Sequence, residues 1–435
     1  MKNFTYSLLL IGSLASAQQT TLEVNGKVLT TVSDQEIVLR GINYPIIDEG
    51  SISLANAAQY QHKIDQAALT GANAIRIPWY TSGTHWRDNP QFGTPGTVQG
   101  YVANGHLGNL LAYCHQKGMV PILEIHNATC SNDWNYFNNT VMPFWTSPAI
   151  QNLIETHKEY LIINLANEFG QVRWTGNQAA ALNTFTSNYN TAIAGLRSLG
   201  IDVPIMIDAP DCAQSSTELL SVAEAMVDAD PVHNLIFSSH AYWFGYANSG
   251  ALVEQKLDEA ANSSVCFVLG EVANTQDGDT CGSISLSNLY PTILTEACER
   301  NIGWLAWTYD LDCSSPREMT TNGEFSTLTA WGNDLVYNSN YGLLSDSPCA
   351  AQQLSTEKVP GSDMVLFPNP AGDRFGISGS DGIAFVEIYD VSGRIVKVID
   401  SGFGSVSLIG LEPGHYIVKA VTSDKSFKTF RLLKI

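Results

Sequence analysis

Charge is scarce in this 435-residue chain, and positive charge scarcest: 22 Lys and Arg stand against 42 Asp and Glu, and only 15% of positions are charged. The net charge of −20 is unevenly spread. From Pro360 onward eight basic residues balance eight acidic ones, leaving 14 against 34 in the remainder. Such a surface repels nucleic acid and anionic membranes and suits a neutral partner. Beyond the N-terminus no apolar run reaches the length of a membrane span. The spacings C-x-x-C, H-x-H and H-E-x-x-H are all missing, so a zinc site is not expected. Hydrophobic residues make up 44% of the chain, enough for a large core.

Residues 1–17 carry an early Lys2, the apolar run Leu8-Leu9-Leu10-Ile11 and a small-residue end at Ala15-Ser16-Ala17. This is the pattern of a cleaved secretory signal, too short to span a bilayer. Residues 21–38 read as a hairpin turning at Asn25-Gly26, of the kind that plugs the bottom of a barrel. An apolar strand followed by a helix-period segment then recurs. The predicted strands are residues 37–44, 74–78, 119–126, 161–168, 203–208, 235–240, 265–271 and 303–308. Helices are expected near 54–69, 106–117 (ended by Gly118) and 177–199. Eight buried strands joined by right-handed crossovers predict an α/β fold, a (β/α)8 TIM barrel.

The periodicity fails over residues 348–363, where Ser, Gln, Thr, Pro and Gly gather into a linker. Short alternating segments then follow, such as Phe385-Val386-Glu387-Ile388-Tyr389 and His415-Tyr416-Ile417-Val418-Lys419. They predict a small all-β Ig-like sandwich without cysteine. The domain expectation is a signal peptide at 1–17, a barrel domain at 18–347, a linker at 348–363 and a sandwich at 364–435. The eight cysteines all precede residue 350. Their even number in an exported chain points to disulfides whose pairing the sequence leaves open. Cys281 with Cys313 is one candidate, stapling the loops after strands seven and eight, and Cys266 reads as a free core thiol.

Two strands end in the same unusual way. Leu161-Ile162-Ile163-Asn164-Leu165-Ala166 runs into Asn167-Glu168, and Val265-Cys266-Phe267-Val268-Leu269-Gly270 into Glu271. A barrel enzyme carries its chemistry at the carboxyl ends of its strands. Two glutamates there suit glycoside hydrolysis, in which one carboxylic acid protonates the leaving oxygen and one carboxylate faces the anomeric carbon. Gly270 would let the backbone approach a ligand. Arg76, flanked by Ile75 and Ile77, needs a buried carboxylate partner, for which Glu271 is the candidate; pairing would favour its ionised form. His126 and His240 close strands three and six, with Tyr242 two residues on. Of the strand-eight indoles, Trp307 is the candidate sugar platform and Trp304 the core residue. Fewer than half of Trp79, Tyr80, Trp86, Trp134, Trp174, Trp243 and Tyr246 are expected to reach substrate.

Taken together, Arg76, His126, Asn167-Glu168, His240, Tyr242, Glu271 and Trp307 resemble, in order, the pattern of glycoside hydrolase family 5, the cellulase and β-mannanase family, over residues 35–345. The resemblance implies Glu168 as acid/base, Glu271 as nucleophile and Asn167 at the sugar's 2-hydroxyl. It implies Arg76, His126, His240, Tyr242 and Trp307 as substrate-binding or supporting residues, with no metal and no cofactor. Residues 126–129, 166–168 and 303–307 are similar to bacterial endo-β-1,4-mannanases. Asn127 stands where those enzymes usually have Asp, Val272 replaces an aromatic residue, and residues 131–148 lengthen a loop. The tail resembles the C-terminal sorting domain of the type IX secretion system through Phe367-Pro368-Asn369-Pro370, residues 388–394 and 411–416, and the basic end 428–434.

The expected protein is thus a secreted or surface-attached monomer, a retaining endo-β-1,4-glycanase acting on a neutral β-linked polysaccharide, most simply β-mannan. Its other partner is the type IX secretion machinery; nucleic acid and a membrane span are not expected. An endo-β-1,4-glucanase of the same family and a non-catalytic surface glycan-binding protein are the alternatives. In the retaining mechanism the two carboxyls should stand about 5–5.5 Å apart, with the acid's pKa raised by its neighbour's charge and by burial.

Overall fold

The computed structural model describes residues 20–48, 52–81, 97–127, 129–345, 349, 365–367, 371–378, 383–390, 394–422 and 427–434. The signal segment, Trp86, nearly all of the linker and positions 368–370 of the tail motif lie outside the described residues. The chain divides into two compact units, 1–354 and 355–435.

The first unit is a closed barrel of eight parallel strands. Strands one to four are Arg40–Asn43, Ala74–Trp79, Val120–Ile125 and Ile162–Asn164. Strands five to eight are Ile205–Asp208, Leu235–His240, Cys266–Val272 and Gly303–Ala306. Strand eight pairs with strand one to close the ring. Strands rich in Ile, Val and Leu are buried on both faces because helices cover the outside. Those helices include Ala57–Ala68, His106–Gln116, Pro148–His157, Gln178–Ser198 and Gly250–Asn262. Two begin at asparagine caps: Asn56 accepts the amide of Ala58, and Asn177 that of Ala180. His106–Gln116 ends before Gly118, whose φ of +80° a side chain would resist.

Strand bounds shift by a residue or two in most cases, and three of the shifts bear on the barrel's ends. Strand one begins at Arg40, because Ile37 instead pairs with Leu29 in the N-terminal sheet. Strand four stops at Asn164 and strand eight at Ala306, so Asn167, Glu168 and Trp307 lie in the turns beyond. The backbone there leaves the ladder: Glu168 is left-handed at φ +54°, and the Trp307–Thr308 peptide is cis.

The N-terminal sheet of Glu23–Asn25, Val28–Thr30 and Glu36–Ile37 closes the amino end of the barrel. Its Val24, Leu29 and Ile37 pack with Ala74, Ile122, Ile162, Met206, Ile236, Val268 and Leu305. Except for Leu305, these come from the first halves of the barrel strands. The loop after strand three is largely helical over Trp134–Tyr136, Phe137–Val141 and Met142–Trp145. Its Trp134 and Phe137 lie in an aromatic cluster with Phe169 and Tyr189.

Cys130 bonds to Cys212, Cys298 to Cys349, and Cys281 to Cys313; the last joins the loops after strands seven and eight. Cys114 and Cys266 are buried free thiols. Among the described residues no helix is long and apolar enough to cross a membrane.

The second unit has a three-stranded and a four-stranded antiparallel sheet, the latter ordered Ile395–Ile399, Ile383–Tyr389, Gly414–Thr422, Phe427–Lys434. Residues of both sheets, among them Phe375, Ile377, Val406, Val386, Ile388 and Val418, share one apolar core. This is the expected all-β tail.

Candidate active site

Two residues along five of the strands from the apolar plug, strands two to six, the inward positions turn polar. Ala74 gives way to Arg76, Ile122 to Glu124, Ile162 to Asn164, Met206 to Asp208 and Ile236 to Ser238. Side chains two apart share a face of a strand, so this second layer also points into the barrel. Burial there requires every polar group to find a partner.

Arg76, fully buried, is the hub of that layer. Its Nε donates to Asn164 Oδ1 at 2.9 Å, and Nη1 to Asn43 Oδ1 at 3.0 Å and Glu271 Oε1 at 2.8 Å. Nη2 donates to Asn167 Oδ1 at 2.7 Å and lies 3.5 Å from Asp208 and 3.7 Å from Glu124. Asn43 in turn donates to the carbonyls of Gly270 and Ala306, tying strand one to strands seven and eight. The carboxylate partner foreseen for Arg76 is therefore present, along with two acids that the sequence reading did not single out.

Glu271 Oε2 accepts from the Tyr242 hydroxyl at 2.6 Å. Glu168 Oε1 lies 2.8 Å from His240 Nδ1, and its amide donates to Asp208 Oδ2 at 3.1 Å. A carboxylate oxygen of Glu168, one of Glu271 and a ring nitrogen of His240 all fall within 4.8 Å of one another. His240 Nδ1 is 3.5 Å from Glu271 Oε2, and its Nε2 is 3.6 Å from Asp208. Gly270 serves this packing rather than a ligand: a Cβ there would stand 2.3 Å from Ser238 Oγ and 3.1 Å from His240 Nε2. The strand-seven register shifts at the same place.

Burial raises Glu168 well above the usual carboxylate range, and the charges of Glu271 and Asp208 add to the effect. Burial pushes Glu271 up as well, to about 7, outweighing the opposite pull of Arg76, Tyr242 and His126. Pairing with Arg76 thus favours the ionised form, as the sequence suggested, but burial outweighs it. The pairing orders the two acids: cations and a phenol face Glu271, so that group gives up its proton first. Burial, Arg76 and His126 hold His240 well below its ordinary value, leaving it neutral. Burial also opposes a charge on His126, yet Glu124, 3.0 Å from its Nδ1, and Glu271 raise its pKa overall.

Above this network lies a cavity of about 490 Å³. His126, Asn167, Glu168, Tyr242, Glu271 and Trp307 line it, while Arg76 and His240 support it from beneath. Trp307 lies parallel to the His126 ring at 5.6 Å, whereas Trp304 is buried in the core. Of the described aromatic candidates, Trp174 and Tyr246 reach the cavity; Trp79, Tyr80 and Trp243 are core and Trp134 packs among aromatics. Phe244, not foreseen, joins Trp174 as an exposed rim residue (51% and 56%). Asp208 and Glu124 did leave a trace in the sequence, each being an acid in an otherwise apolar strand, as Arg76 is a base. Arg317, which reaches the cavity from a loop and pairs with Asp312 and Asp277, left none.

A family model described as Cellulase (glycosyl hydrolase family 5) matches residues 32–312, and one for a secretion system C-terminal sorting domain matches residues 365–434. The tail thus directs the protein by type IX secretion to the cell surface or beyond. Mannan endo-1,4-beta-mannosidase of Cellvibrio japonicus is 26% identical over 326 residues, spanning 73% of this chain and 66% of the relative. The enzyme of the same name from Salipaludibacillus agaradhaerens is 25% identical over 320 residues, spanning 73% of this chain and 91% of the relative. Among solved structures, the mannohexaose complex of Thermomonospora fusca beta-mannanase shares the fold. It has a TM-score of 0.59 and 20% identity, and the match covers 76% of this chain and 99% of that one.

Proposed function

The chain belongs to glycosyl hydrolase family 5, the cellulase family, and on that premise we propose that it is a secreted retaining endo-β-1,4-glycanase whose substrate is β-mannan. The observation that carries the mechanism is the approach of Glu168 and Glu271 oxygens to within 4.8 Å. Inverting enzymes keep their carboxyls about 6.5–9.5 Å apart to admit a water between the general base and the sugar; retaining enzymes bring them to about 5–5.5 Å. The names of the relatives support mannan as the polymer.

In the proposed reaction Glu168 protonates the glycosidic oxygen while ionised Glu271 attacks the anomeric carbon, so the leaving sugar departs as a neutral alcohol and a glycosyl-enzyme forms. Glu168, now a carboxylate, takes a proton from water, whose oxygen displaces Glu271. The order of ionisation suits this division of labour, since the group facing Arg76 and Tyr242 loses its proton first. Asn167, with Oδ1 held by Arg76, presents its amide to the 2-hydroxyl. Trp307, braced by His126, offers an indole face to a sugar ring. Arg76 and Tyr242 orient the nucleophile, and His240 the acid. This chemistry calls for no metal or organic cofactor, and one chain supplies every group, which is compatible with a monomer. Residues 18–347 form the catalytic domain, 348–363 the linker and 364–435 the sorting domain, after a signal peptide at 1–17.

Proton NMR of the first product released from mannopentaose tests the stereochemistry. A β-anomer appearing before mutarotation is expected; an α-anomer would sink the double displacement. New reducing ends from mannan, carboxymethyl-cellulose and xyloglucan, measured side by side, test the polymer. Release that is fastest from carboxymethyl-cellulose would move the reading to an endoglucanase.

A further inference from the structure

Three loops meet at Glu168, those after strands three, four and five. The Cys130–Cys212 disulfide joins the first to the third, with Cα atoms 4.5 Å apart across 82 residues of chain. Cys130 Sγ lies 3.0 Å from Glu168 Oε2. A disulfide sulfur has no proton to donate, so this is a packing contact and not a hydrogen bond. Among the described residues the polar side chain on Glu168 Oε1 is His240, with Nδ1 at 2.8 Å. With Oε1 engaged there, Oε2 is the oxygen available to face a substrate, and sulfur is the wall against it.

The backbone around this contact is unusual. Cys130 (φ +58°), Glu168 (+54°), Asp211 (+62°), Cys212 (+53°) and Ala213 (+58°) are all left-handed, and none is glycine. Such conformations persist only where surrounding bonds enforce them. Here the Asp211 carboxylate accepts the amides of Val172 at 2.8 Å and Arg173 at 3.0 Å, and the Ala213 carbonyl accepts the His240 amide at 2.8 Å. The Gly170 amide donates to the Ser131 carbonyl at 2.8 Å. Hydrogen bonds thus link strand four's loop to both neighbours, and the disulfide closes the triangle.

We propose that the Cys130–Cys212 disulfide is a positioning element for the general acid: it holds Glu168 Oε2 toward the glycosidic oxygen and denies that oxygen a competing hydrogen-bond donor. The proposal rests on the reading of Glu168 as acid/base. Without the bridge the carboxyl gains freedom, and water reaches Oε2 to stabilise its ionised form. The charged groups facing Glu168 are Glu271 from strand seven, Asp208 from strand five, Arg76 from strand two and Glu124 from strand three, with neutral His240 from strand six. None of them is altered by losing the bridge.

The test compares two substrates on the full chain carrying Cys130→Ala and Cys212→Ala. Mannohexaose loses a sugar alcohol and needs the acid; 2,4-dinitrophenyl β-mannobioside loses a stable phenolate and does not. For mannohexaose kcat/KM should fall roughly ten- to a hundredfold, and the high-pH limb of its profile should move to lower pH. For the dinitrophenyl substrate the fall should be much smaller. An equal fall on both substrates, or no fall on either, would overturn the proposal. If the alanine pair does not fold, Cys130→Ser with Cys212→Ser, close to the native volume, is judged by the same ratio. Glu168→Ala, run alongside, must itself be selective for the sugar leaving group; if it is not, the acid/base reading fails and not merely its extension.

Discussion

The two ends of the barrel are built from the same eight strands and obey opposite rules. At the amino end Ala74, Ile122, Ile162, Met206 and Ile236 pack against the N-terminal sheet in an apolar plug. One step of two residues onward, Arg76, Glu124, Asn164, Asp208 and Ser238 make a layer with almost no apolar surface and no more exposure. The plug gains stability from burial, about 25 cal/mol per Å² of apolar surface. The polar layer gains little net stability, because desolvating charges offsets much of their attraction. What it gains is direction: a cation held by six partners fixes where two carboxylates point and in which order they ionise.

The contrast breaks most sharply at Glu271. Glu271→Gln keeps the side-chain volume and should lower mannan hydrolysis by about 10⁴-fold or more while leaving the thermal unfolding midpoint close to the parent's. Reducing-end assays with a melting curve check this, and near-parental turnover would remove Glu271 from the reaction. Next comes Arg76→Met, which strands Glu124, Asp208 and Glu271 without their cation. Stability should drop by about 3–5 kcal/mol in urea unfolding, and activity with it, since Glu271 would then hold its proton more firmly.

The plug should answer differently. Met206→Ala, two residues before Asp208, should cost about 2–5 kcal/mol of stability yet leave kcat/KM per folded molecule within about twofold of the parent. A large catalytic loss at constant fold would mean that the two layers are coupled more tightly than their separate packing implies.

The pH profile sharpens the comparison at the smallest scale. Activity needs Glu271 ionised, so kcat/KM should rise with pH through that group's pKa, which burial pushes to about 7. It should fall again where Glu168, held higher, loses its proton. Asp208→Asn removes one of the charges that raise Glu168. The high-pH limb should then move to lower pH, and an unmoved limb would show that Asp208 is already neutral in the working enzyme.

Much of this site is legible in the sequence alone. Glu168 and Glu271 each close an apolar run, Arg76 interrupts one, and His126 and His240 end strands, all positions that a barrel sends to one mouth. Asp208 and Glu124 obey the same rule and were readable by it. Phe244, Arg317 and Asp211 were not, since they sit in loops without periodicity.

Repeated strand–helix patterning and the two glutamates belong to the chain by itself: apolar runs that end abruptly in polar residues mark buried strands and their mouths, whatever lies beside them. Closure of the ring decided the rest. Only there do strands far apart in sequence lie close enough for Arg76 to reach Glu271, Asn43 and Asn167 at once, and for Cys130 to meet Cys212 beside Glu168. The physical reason is that desolvation and charge coupling depend on distances through space, and pKa values, disulfide pairing and left-handed turns all inherit that dependence.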